Sequence, residues 1–406
     1  MQSDTSSLRR IAVVSSSRAD YSHLYWILRE LAAADDVDLR IIATAAHLSP
    51  EFGHTVDCIR EDGFEVEACI DSLVDADSDV GMAKTIGLTT LGLADLLGQL
   101  RPDLMLVIAD RYEMLAPAAT ALALRIPLAH IEGGEVSEGA IDDAVRNALT
   151  QMSHLHFVST REARRRVMAM GVPGWRVHRA GAPSLDHLSR SEIPGRAELE
   201  ARLGFDLAVP PRIVAMHPTT WLDDTAQEAR QLFAALEQTA SPSVFCFPNA
   251  DAGHRPIIDM ARDYCRGHDD AQLFTNLGTL DYWGLLHHAS MLIGNSSSGI
   301  METPSLALPF VNVGIRQRGR ERAANVIDVA AEPGAIVAGM ENAGSETFRH
   351  SLEGMNNPYG DGNAAGLIAR VLRETPLDET LKIRRALPLV AGNTPAFVHA
   401  ALDQRE

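Results

Sequence analysis

Residues 104–115 read LMLVIADRYEML, and residues 128–146 read LAHIEGGEVSEGAIDDAVR. Two apolar runs, 104–109 and 128–131, end one after the other in acid. Asp110-Arg111 closes the first, and Glu132 closes the second just behind His130. Short, continuous apolar runs of this kind suit strands buried on both faces of a parallel sheet. In such a sheet the carboxyl ends of neighbouring strands open into the ligand crevice. Asp142 and Asp143 follow at the start of a helical pattern that runs to residue 152. Carboxylates and a histidine gathered at one crevice are equipment for moving protons. The competing reading gives each acid a structural task, capping a helix or pairing with an arginine. The set as a whole exceeds what caps require.

Outward from this stretch the same alternation continues. Strands are expected at 10–15, 39–44, 66–70, 155–159 and 177–180, with helical patterns such as 21–33 and 86–99 between them. Residues 189–211 are polar and charged and end in Pro210-Pro211, which marks a hinge. Beyond it the alternation restarts, with strands at 213–216, 243–247, 273–275, 291–293 and 310–313 and a late helix at 363–374. The expected fold is α/β, with two Rossmann-like parallel-sheet domains facing each other across a cleft. The expected units are residues 1–188, the acid/base side, and 189–375, the opposite wall. A segment 376–406 crosses back to the first domain.

The chain has 406 residues, 46% of them hydrophobic, enough for two sizeable cores. Its net charge of −18 argues against a nucleic-acid surface. Four cysteines, far apart and never in a CxxC pair, point to reduced thiols in a cytoplasmic protein and away from a zinc site. No histidine spacing of the HExxH type occurs, so no metal is expected. The first residues, MQSDTSSLRR, lack the apolar stretch of a secretory signal. No run of about 18 apolar residues suggests a membrane span.

Four further motifs carry chemistry. Ser15-Ser16-Ser17-Arg18-Ala19-Asp20 lies between a strand and a helix, where small residues let the backbone approach an anion and Arg18 can reach a phosphate. Asp20 is equally suited to cap that helix. IGNSSSG at 293–299 leads a strand into a turn, where the Ser296 and Ser297 amides and hydroxyls can cradle a diphosphate. Glu302, further on, can accept bonds from ribose hydroxyls. His217 ends the first strand of the second half, facing the cleft from the wall opposite Asp110. Asn249 in FPNADAG and Arg316 and Arg320 in GIRQRGRE follow later strands, and the arginines can neutralise a pyrophosphate. There is no GxSxG elbow, which disfavours serine hydrolase chemistry.

Two such domains resemble the GT-B architecture of nucleotide-sugar glycosyltransferases. More specifically, SSSRADYSHL, the block from ADRYEML to HFVST, HPTT, FPNADAG, IGNSSSG, GIRQRGRE and NPYGDGNA together resemble the hydrolysing UDP-N-acetylglucosamine 2-epimerases. The resemblance spans about residues 10–373. It implies that Asp110 and Glu132 are the active-site acids, accompanied by Asp142, Asp143, His130 and His217. It implies a UDP-sugar site containing Arg18, Asp20, Arg111, Asn249, Ser296, Ser297, Glu302, Arg316 and Arg320. Departures exist: Ala109 stands where many members have Gly, and His23 where animal members have Lys. The Pro218-Thr219-Thr220 continuation after His217 favours the hydrolysing branch.

The implied reaction converts UDP-N-acetylglucosamine and water to N-acetylmannosamine and UDP, at the entry to sialic acid synthesis. UDP leaves first, the C2 proton is removed to give a 2-acetamidoglucal, and water and a proton then add. Asp110 or Glu132 is the base; Asp143, His130 or the protonated first base is the acid. Repulsion among the carboxylates is expected to raise at least one of their pKa values. No cofactor is needed, and the resemblance implies a homo-oligomer, dimer or tetramer. Three alternatives stand beside this reading. One keeps the chemistry on UDP-2,4-diacetamido-2,4,6-trideoxyglucose, toward legionaminic-type acids. The others are a GT-B glycosyltransferase and a non-catalytic nucleotide-sugar sensor.

Overall fold

The computed structural model describes residues 8–384. The polar N-terminal stretch and residues 385–406 of the expected return segment lie outside the described residues.

Seven strands form the first sheet: β1 (Arg9–Ser15), β2 (Val37–Thr44), β3 (Val66–Ile70), β4 (Leu104–Ile108), β5 (Leu128–Ile131), β6 (Leu155–Val158) and β7 (Val177–Arg179). Six form the second: β8 (Arg212–Ala215), β9 (Ser243–Cys246), β10 (Ala271–Phe274), β11 (Met291–Gly294), β12 (Phe310–Val313) and β13 (Val326–Val329). All neighbours pair in parallel, in the orders β3-β2-β1-β4-β5-β6-β7 and β10-β9-β8-β11-β12-β13. Both orders reverse beside their first strand, at β1/β4 and at β8/β11. These reversals are the switch points where a parallel sheet opens a crevice.

Side chains alternate between two cores. In β1, Ile11 and Val13 join one cluster with Leu24, Ile27 and Leu28, while Ala12 and Val14 join another with Leu93 and Met105. In β8, Ile213 and Ala215 face one side and Val214 and Met216 the other. Both faces are buried, which is why these strands read as unbroken apolar runs.

Two boundaries differ from the sequence expectation. Strand β13 was not anticipated. It is an edge strand, and its four residues include exposed Asp328, which pairs with Asn312 and Arg322. Such an edge lacks the apolar run that marks the inner strands. The return to the first domain also begins earlier than residue 376. Helix Ala364–Glu374 packs Ala365, Ile368 and Leu372 into the first core. Its first amides, at Ala364 and Ala365, donate to the Asp186 carboxylate at 2.8 Å each. Arg9 then grips the carbonyls of Leu372 and Thr375 at 2.7 and 2.9 Å, and Arg176 those of Thr380 and Leu381 at 2.6 and 2.8 Å.

Helix Asp79–Leu100 also departs from expectation, being long and apolar enough to cross a membrane by length and composition. One face packs Leu93 and Leu97 into the cluster of Ala12, Val14 and Met105 on the opposite side of the first sheet, against helix Leu115–Leu124. The other exposes Val80, Leu88 and Leu91. Gly, Thr, Lys84 and Asp95 break up its apolar run, which hid this length in the sequence.

Candidate active site in the interdomain cleft

The carboxyl ends of β1, β4 and β5 face those of β8, β9, β11 and β12 across a cavity open to solvent. From the first domain it is lined by Asp20, His23, Asp110, Arg111, Glu132 and Asp142. From the second come His217, Asn249, Ser297, Arg316 and Arg320. A second cavity continues from it past Ser296, Ser297 and Glu302.

The two strand-end acids sit on unusual backbone. Ala109 has φ +59° and Glu132 has φ +66°, both left-handed. For residues with a Cβ this costs about 1 kcal/mol or more each. The turns are held by hydrogen bonds from Ala109 N to Ile131 O at 3.0 Å and from Glu132 N to Phe157 O at 2.8 Å. His130 Nε2 donates to Ala109 O at 2.8 Å, and burial pushes its imidazole down to about 4. It does not line the cavity; it is a neutral prop beneath the Asp110 turn. The structure thus places His130 behind the strand-end acids and not among the residues lining the cavity.

Each acid has its own cation. Arg146, buried on the helix Asp142–Met152 that follows β5, donates to Asp110 and to Ser137 Oγ, the latter at 2.9 Å. Burial alone would raise the Asp110 carboxyl, but Arg146, Arg320 and Arg316 together hold it below its ordinary value. Glu132 Oε1 accepts from His23 Nδ1 at 2.7 Å, with Glu302 3.7 Å from the other ring nitrogen. Burial again opposes ionisation, and the charge and hydrogen bond of His23 outweigh it. The expected mutual repulsion therefore does not raise these two acids, because the paired cations dominate. It is Asp20 and Asp142 whose carboxyls rise, both chiefly through burial.

Asp142 and Asp143 part company despite being adjacent. Asp142 faces the cavity and accepts from Arg316 Nη2 at 2.8 Å across the cleft. Asp143 is not in the cavity lining. It accepts from Ser137 N at 2.9 Å and Asn147 Nδ2 at 3.1 Å, tying the preceding loop to the side of its helix. Its carboxylate also meets Arg146 Nη1 at 3.4 Å, so it braces the loop before the helix rather than facing the cavity. Asp20 likewise is not the helix cap: Ser17 Oγ accepts from Asp20 N at 3.4 Å, leaving the Asp20 carboxylate to Ser16 N and Oγ at 3.0 and 2.6 Å.

The second wall is built around Asn295. Its side chain accepts from His217 N at 2.7 Å and donates to His217 O at 2.9 Å, tying the end of β8 to that of β11. Its carbonyl accepts from Arg316 and Gln317 at 3.2 and 2.9 Å. Burial holds His217 well below its usual pKa, so it is neutral. Its Nδ1 accepts from Asn249 N at 3.3 Å, which leaves the proton on Nε2 as a donor. Ser296 and Ser297 turn the chain beyond Gly294. Glu302 is the residue after the short helix Ser298–Met301, bonded to Ser298 Oγ. Arg18 reaches across to Leu277 O at 2.8 Å, and Arg111 pairs with Glu113 at 2.7 Å while lining the cavity. On a chain of net charge −18, Arg111, Arg316 and Arg320 converge on one small volume. Such convergence favours a polyanionic ligand.

Sequence reasoning did not assign site roles to His23, Arg146 and Asp251. His23 lies one helical turn beyond Ala19 and faces the same cleft, a signal that the spacing i, i+4 contains. Although burial opposes it, Glu132, Glu302 and Asp20 raise His23 to about 9. A raised imidazole stabilises the fold fully below its unfolded value near 6.5 and loses that contribution as pH rises through about 9. Unfolding free energy of the wild type is thus expected to fall between pH 6.5 and 9.5, while His23→Gln flattens this limb in urea titrations. Equal slopes for the two proteins would refute the charged pair.

Two parallel sheets of Rossmann order with a cationic and carboxylate cleft between them define a GT-B-like protein with a nucleotide-sugar type of site. A sequence profile described as UDP-N-acetylglucosamine 2-epimerase matches residues 29–373, and the chain belongs to that family. It is 36% identical to the GDP/UDP-N,N'-diacetylbacillosamine 2-epimerase (hydrolyzing) of Campylobacter jejuni, over 79% of this chain and 84% of the relative. It is 34% identical to the UDP-N,N'-diacetylbacillosamine 2-epimerase (hydrolyzing) of Legionella pneumophila, over 91% and 97%. The crystal structure of the Neisseria meningitidis UDP-GlcNAc 2-epimerase bound to UDP-GlcNAc superposes with a TM-score of 0.74 at 18% identity. It covers 90% of this chain and all of that one, and establishes the shared fold.

Proposed function

We propose that this chain hydrolyses and epimerises UDP-N,N'-diacetylbacillosamine, which is UDP-2,4-diacetamido-2,4,6-trideoxyglucose. The products are UDP and the free 2,4-diacetamido-2,4,6-trideoxymannose. The observation that carries the chemistry is the pair Asp110 and Glu132, both held ionised by partners of their own beside a cleft lined by guanidiniums. The names of the relatives at 34–36% identity favour the diacetamido sugar over UDP-N-acetylglucosamine, the substrate that the sequence motifs put first.

Arg316, Arg320 and the Nε2–H of neutral His217 bind the diphosphate and stabilise charge as the C1–O bond breaks. The electron pair of that bond leaves with UDP. Asp110 stabilises the cationic C1, which acidifies C2–H. Glu132 takes the C2 proton, and its electrons form the C1–C2 double bond of the glucal. Water then adds its oxygen to C1. Inversion at C2 requires a proton on the opposite face from the base. Asp142, whose carboxyl burial raises, delivers it and then takes up the proton that the added water loses, while Glu132 returns the abstracted proton to solvent.

The test offers both UDP-sugars in deuterated water. UDP release with a C2-deuterated manno product, at a kcat/KM at least about tenfold higher for the diacetamido substrate, is expected. UDP release without deuterium at C2 is simple hydrolysis and refutes epimerisation. Preference for UDP-N-acetylglucosamine overturns the substrate assignment. UDP binding without turnover returns the sensor reading, and acceptor-dependent release returns the glycosyltransferase.

A further inference from the structure

At the rim of the cleft, away from the acids described above, three loops converge. Glu51 lies in the turn Pro50–Phe52 after β2, Asp75 in the loop after β3, and His254 at the start of helix His254–Gly267 after β9. One potential ligand atom from each lies within 4.8 Å of the other two. The first two residues belong to the first domain and the third to the second.

His254 supplies the independent observation. The residue is 2% exposed, and its Nε2 has no hydrogen-bond partner among the described residues. Its Nδ1 is engaged by Asp251 O at 3.0 Å and lies 2.9 Å from Asp77 Oδ1. Those acceptors place the proton on Nδ1 and leave a bare lone pair on Nε2. Asp77 Oδ1 also accepts from the amides of Gly253 and His254 at 2.6 and 3.0 Å, and Phe52 packs 5.5 Å from the imidazole. The ring is therefore fixed in orientation. An imidazole whose second nitrogen is held by a carboxylate and a carbonyl is the arrangement that orients a metal-binding histidine. A buried lone pair with no donor is destabilising, so its retention calls for a partner.

We infer that Glu51, Asp75 and His254 bind a divalent transition-metal cation, Zn²⁺ or Mn²⁺, that latches the two domains together. One imidazole and two carboxylates suit these ions, whereas Mg²⁺ and Ca²⁺ prefer oxygen-only shells. Metal–ligand distances of about 2.0–2.2 Å put ligand atoms no more than about 4.4 Å apart. The two carboxylates, both partly exposed, need shift only slightly to meet this. Arg255 Nη2, 2.7 Å from Asp75 and 3.7 Å from Glu51, supplies the positive charge in the metal-free state and swings outward on binding. The absence of any HExxH-type spacing bears only on ligands close in sequence; these three come from three loops of two sheets. The site is independent of the identity of the sugar substrate.

The experiment titrates chelator-treated full-length protein with MnCl₂ and ZnCl₂ by calorimetry, and follows thermal unfolding at each concentration. One cation per chain and a rise in Tm are expected, with Glu51→Gln and Asp75→Asn each weakening binding by at least about tenfold. His254→Ala removes binding but also empties a packed position, so the two carboxylate variants carry the decision. No saturable binding of either ion up to about 1 mM overturns the inference, since a site that weak contributes under about 4 kcal/mol. Binding that both carboxylate variants leave unchanged also overturns it. Equal affinity for MgCl₂ overturns the role of His254.

Discussion

Glu132→Gln is expected to lower kcat by about 10³-fold while leaving the affinity for UDP nearly unchanged. Gln has the shape of Glu and keeps one oxygen to accept from His23, so the turn after β5 and its bond to Phe157 O stand. What disappears is the basic oxygen to which the proposed mechanism assigns the C2 proton. The diphosphate wall of Arg316, Arg320 and His217 comes from the other domain and is untouched. The loss should therefore fall on kcat rather than on binding. A second signature separates this from general damage: deuterium incorporation at C2 should fall together with UDP release, because the proton transfer makes the glucal. His23 should also titrate lower, having lost the partner that does most to raise it. Steady-state kinetics, exchange in deuterated water and a calorimetric UDP titration measure all three quantities. A variant whose kcat lies within tenfold of wild type would remove Glu132 from the mechanism.

The second large effect is structural. Gly294→Ala is expected to destabilise the second domain by about 3 kcal/mol or more and to abolish UDP binding. Gly294 has φ +133°, and an added Cβ would lie 2.1 Å from Ala215 O. Ala215 is its partner in the β8–β11 ladder, so neither backbone can yield without breaking the pairing. The adjacent Asn295 anchors His217, Arg316 and Gln317, so any shift at residue 294 spreads to the whole diphosphate wall. Gly366→Ala is the contrasting control. It lies within helix Ala364–Glu374, where an added Cβ meets nothing within 4 Å. It should be neutral or stabilising by up to about 1 kcal/mol. Urea unfolding of the two variants beside wild type checks the pair. A Gly294→Ala midpoint equal to that of Gly366→Ala would contradict the close approach of β8 and β11.

Local pattern carried much of the architecture. The inner strands are buried on both faces, so each shows as a short apolar run bounded by turn residues. Edge strand β13 escaped because none of its four residues is fully buried and Asp328 interrupts it. The late helix was legible as a helix, but its attachment to the first core was not. Amphipathic spacing says that Ile368 and Leu372 are buried without saying against which sheet.

The candidate site divides in the same way. That Asp110, Glu132, His217, Ser297, Arg316 and Arg320 share a crevice follows from their positions at strand ends, since parallel strands all deliver their carboxyl ends to one side. Sequence alone therefore determined the two-sheet fold, the crevice and the family's ordered motifs. Tertiary structure decided the state of each group within the crevice. His130 is a buried prop, Asp143 braces the loop before its helix, Asp142 faces the cavity, and His23 is an unforeseen cation between two glutamates. The physical reason is that strand and helix patterns arise from neighbours a few residues apart. Charge and protonation depend on burial and on partners such as Arg146, Arg316 and His23, which only the packing of elements and the meeting of two domains bring within a few ångströms.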